Sequence, residues 1–263
     1  MLGLMRDVAA RAIMPRYQNL REGEVIEKAK DDLVTIADRE AEEMLSEGLA
    51  KIMPGAAIVG EEAAHANPAV MDRLSRACWI IDPIDGTTNF ANGSGHFAIM
   101  IAFADRGETQ SGWIYDPRRN RMCHTHLGAG AFIDGTKTTA RSSGSASPRL
   151  AAMTRYMAAD QRTLFDAEIA PHYSLVKAPG CAAEQYPLTA LGEHDLAIYE
   201  RTLPWDHAAG CLFLNEAGGV CLRPDGSPYT VDSGRKGMIG AANRALFDDL
   251  AERLSAAGYS PAA

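Results

Sequence analysis

Two aspartates lie close together in the stretch Trp79-Ile80-Ile81-Asp82-Pro83-Ile84-Asp85-Gly86-Thr87-Thr88-Asn89-Phe90. The apolar run Cys78–Ile81 predicts a buried strand that ends at these carboxylates. Pro83 fixes its own φ and pushes Asp82 toward an extended conformation. Gly86 permits a tight turn that other residues resist. Thr87 or Thr88 is then placed to cap a helix whose free N–H groups face an anion. One short loop thus offers two carboxylates, the carbonyl of Ile84, a hydroxyl and an anion cradle. Hard oxygen donors of this kind suit Mg2+ or Mn2+ rather than zinc or copper. Two neighbouring carboxylates shielded from water repel, and a cation is the simplest way to keep both ionised at neutral pH. A bare pair of aspartates at this spacing favours a metal-free capped turn; the buried strand before it and the Gly-Thr after it favour the metal loop.

Further acids occur at similar punctuation points. Glu61 and Glu62 follow the short apolar run Ala56–Val59 and Gly60. Asp206 precedes a helical pattern over 207–217, where a carboxylate caps free N–H groups, and Gly218-Gly219 stops that helix. Alone, each has a plain reading as a solvated loop acid or an N-cap. Only the set as a whole argues for a shared site.

Four segments carry a resemblance in a fixed order. Trp79–Phe90 resembles the signature of the inositol monophosphatase family. Val59-Gly60-Glu61-Glu62 resembles its strand-end GEE motif, and Trp205-Asp206-His207-Ala208-Ala209-Gly210 with Glu216-Ala217-Gly218-Gly219 its WDxAAG and EAGG motifs. Asp32-Leu33-Val34-Thr35-Ile36-Ala37-Asp38 resembles its DxVTxxD segment. The motifs span residues 32 to 219, most of the chain. The resemblance implies a layered αβαβα sandwich of the inositol monophosphatase and fructose-1,6-bisphosphatase type. It implies a lithium-sensitive phosphomonoesterase that uses two or three Mg2+ ions, with Mn2+ as a possible substitute. Glu61, Asp82, the carbonyl of Ile84, Asp85 and Asp206 become the implied metal ligands. Glu61 and Thr87 resemble the water-activating pair, with Thr87 tied to Asp38, and Glu62 stands behind the ligands or supports a further metal. Hydrolysis is then expected to run by direct attack of metal-activated water, without a phosphoenzyme.

The substrate contacts implied are Gly86, Thr87, Gly180, Cys181, Ala182 and Glu200. Ala178–Ala183 partly resembles the family's GSAA segment, with Cys181 where Ser is usual. Glu200 falls near the polyol-binding glutamate, one residue short of the expected spacing to Trp205-Asp206, and Pro204 departs from the inositol-specific pattern. The lysine expected near the DxVTxxD segment has no clear counterpart, although Lys28 and Lys30 are close. Inositol monophosphate or a similar polyol phosphate is the expected substrate. Fructose-1,6-bisphosphate, histidinol phosphate and phosphoadenosine phosphate are the rivals within the enzyme class. The rival outside it is a regulatory protein of the same fold that binds a macromolecular partner. A homodimer is expected from the family.

The elements that must position these residues are legible in outline. An amphipathic helix is expected within 1–20 and a second over 37–53, stopped by Pro54-Gly55. Strands are expected at 56–59, 78–81, 97–104, 112–115 and 130–133, separated by turn signals such as Asp116-Pro117 and Asp134-Gly135. The Ser/Thr/Gly-rich run 136–148 reads either as a surface loop inside one domain or as the boundary between an N-terminal α+β half, 1–140, with the metal loops, and a C-terminal α/β half, 141–263, with Asp206. Helices at 151–169, 183–191, 207–217 and 243–257 alternate with short apolar runs, the pattern of an α/β layered fold.

Composition narrows the function classes. The 263 residues carry a formal net charge of −8, which disfavours general nucleic-acid binding. No run approaches the ~18 apolar residues of a membrane span, and no signal-peptide core is seen, so a cytoplasmic protein is expected. Five scattered cysteines without a CxxC pair fit reduced thiols. Cys123-His124-Thr125-His126 is read as a strand edge whose two histidines share one face, not as a soft-metal site. The Leu127–Phe132 run is a turn within a sheet, since it lacks the Lys-Ser/Thr of a phosphate loop. Met153 and Met157 are expected on the buried side of one helix.

Overall fold

In a computed structural model of the chain, residues 1–21, 23–29 and 32–261 are described, with the side chains of 26–33 left aside. Lys28 and Lys30 therefore lie outside the described side chains. The chain opens with α1 (Leu2–Val8), which continues into a π-helical turn, Ala9–Ile13. A hairpin of β1 (Val25–Ala29) and β2 (Asp32–Thr35) leads into α2 (Ile36–Ile52). Next come β3 (Ala57–Gly60), α3 (Glu61–Ala66), a 3-10 segment Pro68–Ser75, β4 (Cys78–Asp85) and α4 (Thr87–Ala91). Strands β5 (Ala98–Asp105), β6 (Glu108–Asp116), β7 (Arg121–His126), β8 (Gly130–Ile133) and β9 (Thr136–Thr138) complete a seven-stranded sheet in the order β3-β4-β5-β6-β7-β8-β9.

The second half contributes β10 (Arg149–Ala152), α5 (Ala159–Leu164), β11 (Ser174–Val176), α6 (Ala182–Ala190), β12 (Leu196–Tyr199), α7 (Pro204–Glu216), β13 (Val220–Leu222), β14 (Met238–Ala241) and α8 (Arg244–Ala256). Its five strands form a mixed sheet in the order β11-β10-β12-β14-β13.

Strand periodicity explains the layers. Along β4, Trp79 and Ile81 pack with Met5, Val8, Leu45 and Leu49 of α1 and α2, whereas Cys78 and Ile80 join a second core with Tyr186 of α6 and Phe213 of α7. Successive side chains point to opposite faces, so one apolar strand feeds both cores. The far face of the smaller sheet packs Leu150, Leu196 and Ile239 against Phe165, Phe247 and Leu250. The order is helices, sheet, α6 with α7, sheet, helices: the expected αβαβα sandwich.

The central helix fits because its neighbours are small. A Cβ on Gly112 of β6 would lie 2.8 Å from the Cα of Ala209, and one on Gly210 would lie 1.9 Å from the Tyr186 ring. Gly210→Ala is therefore expected to lower stability by about 1–3 kcal/mol through overpacking, read as a shift in urea midpoint. A midpoint equal to the parent's would show that the Tyr186 ring yields freely.

Several expectations need correction. Residues 151–169 are not one helix. Leu150 and Ala151 pair in parallel with both β11 and β12, and ladder pairing overrides the local helical pattern. The remainder splits into a 3-10 turn, Thr154–Tyr156, then α5 and a π-turn at Phe165–Ile169. Met153 thus lines a cavity while Met157 is buried, and the two do not share a helix face. Strand β7 is interior, paired to β6 and β8; Cys123 and Thr125 share its buried face, opposite the two histidines.

The Ser-rich run begins with β9 and then crosses between the sheets. Ser143 donates from both N and Oγ to Asp195 (2.6 and 2.5 Å), and Arg149 N donates to the same carboxylate (2.8 Å).

Candidate metal and phosphate site

The acid-bearing segments singled out in the sequence open onto one cavity of about 100 Å³, lined among others by Glu61, Asp82, Ile84, Asp85, Gly86, Thr87 and Asp206. Asp82 is 2% exposed and Asp85 8%. Carboxylate oxygens of Asp82, Asp85 and Asp206 all fall within 4.8 Å of one another. Residues more than 120 positions apart are thus brought to bonding range of a single ion.

The loop after β4 is held by its own hydrogen bonds. Ile84 N donates to Asp82 Oδ1 (2.9 Å), which fixes one side of that carboxylate. Gly86 is the N-cap of α4 with φ of +90°, a region costly for other residues, and a Cβ there would lie 2.7 Å from the carbonyl of His96. Thr87 is the first helical residue, not the cap expected from sequence, because the left-handed turn falls on Gly86. Its Oγ1 lies 3.0 Å from the Ile84 carbonyl and 3.3 Å from Asp38 Oδ1. One hydroxyl hydrogen serves these two acceptors, so the lone pairs of Oγ1 remain available to a further donor.

Asp38 is 1% exposed and sits in the first turn of α2. Its Oδ2 accepts from Thr35 N (2.7 Å) and Thr35 Oγ1 (2.6 Å), a capping box that leaves Oδ1 facing Thr87. Glu61 opens α3 directly after β3. That short helix is capped from outside: Glu42 accepts from Glu62 N (2.8 Å) and Ala63 N (2.9 Å). A Cβ on Gly60 would lie 2.2 Å from the Glu42 carboxyl carbon, which explains the glycine before the two glutamates. Glu62 itself does not reach the cavity. It lines a separate surface groove with Arg39, Glu42 and Glu47, because the helical turn rotates it away from Glu61.

Asp206 also differs from its expected place. Leu203 is the N-cap of α7 and Pro204 its first residue, so Asp206 is the third helical residue rather than the cap. Pro204, the departure noted in sequence, suits the first turn, where no N–H acceptor is needed. Asp206 Oδ2 lies 3.5 Å from an Arg201 guanidinium nitrogen.

The segment Ala178–Ala183 closes another side. Ala183 N donates to Asp85 Oδ2 (2.5 Å), and the Cys181 thiol donates to the same oxygen (3.1 Å). A sulfhydryl thus takes the place of a hydroxyl donor. Gly180, Cys181 and Ala182 line the cavity as expected, and Asn89 ties this loop down by donating to the carbonyls of Pro179 (3.0 Å) and His96 (2.8 Å). Glu200 also lines the cavity, with one carboxylate oxygen accepting from the Tyr259 hydroxyl.

The electrostatics suit a cation. The Asp82 carboxyl is pushed well above the usual range by burial, then by the charges of Glu61, Asp85, Asp206 and Asp38. Asp85 is raised to about 7 by burial and Asp206, against the opposing pull of the Ala183 N–H, the Cys181 thiol and Arg201. Two buried acids that resist ionisation without a counter-charge, converging with a third carboxylate, fit a hard divalent ion.

Sequence reasoning missed Arg201, Arg155, Tyr156, Glu42 and Asn89. His207 is 3% exposed, and burial lowers its pKa to about 3, so it is neutral. Its Nε2 lies 2.8 Å from the Arg201 carbonyl, an acceptor only, so Nε2 carries the hydrogen and Nδ1 accepts from the Tyr186 hydroxyl (2.8 Å). Adjacency to Asp206 was the one visible signal for it. Arg155 and Tyr156 had none, since nothing local marks a surface turn as part of a cavity.

A profile of the inositol monophosphatase family matches residues 2–259. The chain belongs to that family. Over 239 residues it is 31% identical to an inositol-1-monophosphatase of Bacillus subtilis (strain 168), covering 88% of this chain and 89% of the relative. It is 34% identical over 273 aligned positions to an inositol-1-monophosphatase of Caulobacter vibrioides, covering 95% and 97%. Among solved structures, a Thermotoga maritima IMPase superposes with a TM-score of 0.80 at 27% identity, covering 98% of this chain and 96% of that one. This member of the inositol monophosphatase family is therefore a phosphoric monoester hydrolase. Its acidic cluster is a candidate metal site. Among the described residues, no helix is long and apolar enough to cross a membrane.

Proposed function

We propose that the protein hydrolyses a polyol phosphate, inositol monophosphate or a similar small ester, with Mg2+ held by Glu61, Asp82, the Ile84 carbonyl, Asp85 and Asp206. The observation that supports this most is the convergence of Asp82, Asp85 and Asp206 within 4.8 Å beside the Gly86 turn. A divalent ion bound there supplies positive charge that offsets the phosphoryl dianion and favours ionised water. Two or three such ions, and Mn2+ in their place, remain part of the proposal.

The chain's own groups have separable tasks. Asp38, fixed by Thr35, orients the Thr87 hydroxyl, and a lone pair of Thr87 Oγ1 accepts a hydrogen bond from the attacking water. Glu61 is the acceptor for the proton that water loses. The Gly86–Thr87 turn offers N–H groups that lack intrahelical partners to the phosphoryl oxygens. The Ala183 N–H and Cys181 thiol hold Asp85 in one orientation. Gly180, Cys181, Ala182 and Glu200 border the space for the alcohol. No side chain is assigned as a phosphoryl acceptor, so no covalent phosphoenzyme is expected.

The test is phosphate release from inositol 1-phosphate, fructose 1,6-bisphosphate, histidinol phosphate and phosphoadenosine phosphate, with Mg2+ and with EDTA. Mg2+-dependent release from at least one is expected; silence on all four would overturn the reading. Millimolar lithium is expected to inhibit the release, measured in the same assay. Thr87→Val preserves shape but removes the hydroxyl, and a drop in kcat of about 10²-fold with near-parent KM is expected. A kcat within a factor of two of the parent would remove Thr87 from the mechanism. We further propose a homodimer, checked by light scattering.

A further inference from the structure

Resting on the reading above, in which Glu200 borders the space for the alcohol, we propose that Tyr259 is the positioning residue for Glu200. By fixing that carboxylate before substrate arrives, it sets the affinity for the alcohol half of the ester. Glu200 lines the cavity, whereas Tyr259 lies behind it on the wall of a separate surface groove. The Tyr259 hydroxyl donates to Glu200 Oε1. Burial, and then the neighbouring carboxylate, push the pKa of that hydroxyl well above its usual value, so it keeps its hydrogen for the bond.

The approach of Tyr259 is built into the chain around it. The chain leaves α8 through Ala257-Gly258-Tyr259, and Gly258 takes φ of +72°. Gly258 N donates to the Ser255 carbonyl (3.0 Å) and Tyr259 N to that of Leu254 (2.8 Å). This pair of bonds, closed by a glycine in the left-handed region, reverses the chain at the helix end. It turns Tyr259 back onto the smaller sheet, where its ring is 9% exposed and shares a core with Ile198 and Leu254. Two further contacts hold the residues that follow. Gln161 of α5 donates through Nε2 to the Ser260 carbonyl, and a Cβ on Gly237 would lie 2.1 Å from Pro261 Cγ.

The backbone of Glu200 is set separately. β12 pairs with β14 up to Tyr199 and Met238, and Gly237 N donates to the Glu200 carbonyl (3.1 Å). Those bonds place the Glu200 backbone but not its carboxylate, which sits at the end of a flexible side chain. Holding such a side chain in one rotamer costs conformational entropy, and a tyrosine with a packed ring is a stiff post against which to fix it. A carboxylate oriented in advance meets hydroxyl hydrogens without losing binding energy to that ordering. Tyr259 therefore acts through Glu200 and not on the ester itself.

The experiment measures KM and kcat for inositol 1-phosphate and fructose 1,6-bisphosphate, with inhibition by inorganic phosphate, under saturating Mg2+. Inorganic phosphate has no alcohol half and reports on the metal end alone. Tyr259→Phe keeps the ring and removes the hydroxyl. It is expected to raise KM about tenfold for the better ester, with kcat and the phosphate inhibition constant within about twofold of the parent's. In a Glu200→Ala background the same change is expected to shift KM by less than about twofold, because the group it acts through is gone. An unchanged KM overturns the inference while leaving the phosphatase reading intact. So does an equal weakening of ester and phosphate, the mark of a general packing role, and so does a rise in KM that persists without Glu200. Release from neither ester overturns the polyol-phosphate reading. In that event calorimetric binding of inositol 1-phosphate with Mg2+ decides the positioning role. Binding about tenfold weaker in Tyr259→Phe supports it; affinity equal to the parent's, or no binding to the parent, overturns it.

Discussion

Asp85→Asn is expected to lower kcat by about 10³-fold while the fold persists, because one charge is lost where divalent cations must be held. Geometry should survive. The Asn Oδ1 can accept the Ala183 N–H that Asp85 Oδ2 accepts at 2.5 Å, so α6 keeps its anchor. Stability without metal should rise, since a buried carboxylate raised to about 7 is replaced by a neutral amide. Parallel measurement of kcat, circular dichroism and melting temperature separates the two effects. Full activity would remove Asp85 from the ligand set, and a collapsed fold would show that the charge itself holds the α6 junction.

The second large effect is on stability as pH and metal vary. Asp85 has a pKa near 3.8 in the unfolded chain and about 7 in the metal-free fold, and Asp82 shifts the same way. Below pH 4 both states hold the proton and there is no penalty. Between pH 4 and 7 the unfolded chain releases its proton while the folded chain retains it, so stability falls as pH rises. Above 7 Asp85 is ionised in the fold as well, and its full burial penalty applies. Metal-free protein is therefore expected to melt lower at pH 8 than at pH 5.

Mg2+ binds only the ionised, folded site, so its effect should be large at pH 8 and small at pH 5. At about 100 times its dissociation constant the gain is about 2.7 kcal/mol, or roughly 5–10 °C for a chain of this size. Calorimetric scans at the two pH values, with EDTA or Mg2+, test this. An equal Mg2+ shift at both, or none at pH 8, would contradict the assignment of these acids as ligands. Asp82→Asn should flatten the metal-free pH dependence, because one of the titrating groups is gone.

Both effects arise from residues already visible in the chain. Asp82, Asp85 and Gly86 were legible because their constraints are local. An apolar run, a proline that extends the residue before it, and a glycine that alone tolerates φ of +90° act within a few residues of one another. Helices such as α2 and α8 were legible for the same reason, since their apolar stripes repeat at short range. The αβαβα class followed from the ordered motifs.

Elsewhere local pattern misled. Ala151 falls within the expected helix 151–169, yet pairing with both β11 and β12 makes it strand. Glu62 carries the same charge as Glu61 one residue earlier, and a helical turn sends it to a different surface. Asp206 looked like a cap and became an interior first-turn residue once Pro204 took the first position.

The sequence by itself determined which residues can bind a hard cation and where the backbone must turn, because both follow from side-chain chemistry and φ preferences over a few residues. Tertiary structure alone decided that Asp206 meets Asp82 and Asp85, that Asp38 faces Thr87, and that Arg155 and Arg201 meet over Tyr156 in the cavity wall. Those meetings depend on how two sheets sandwich α7, a packing choice set by small residues such as Gly112 and Gly210 fitting against distant partners. Distances between elements are fixed by the sum of many non-local contacts, and no short stretch of chain contains that sum.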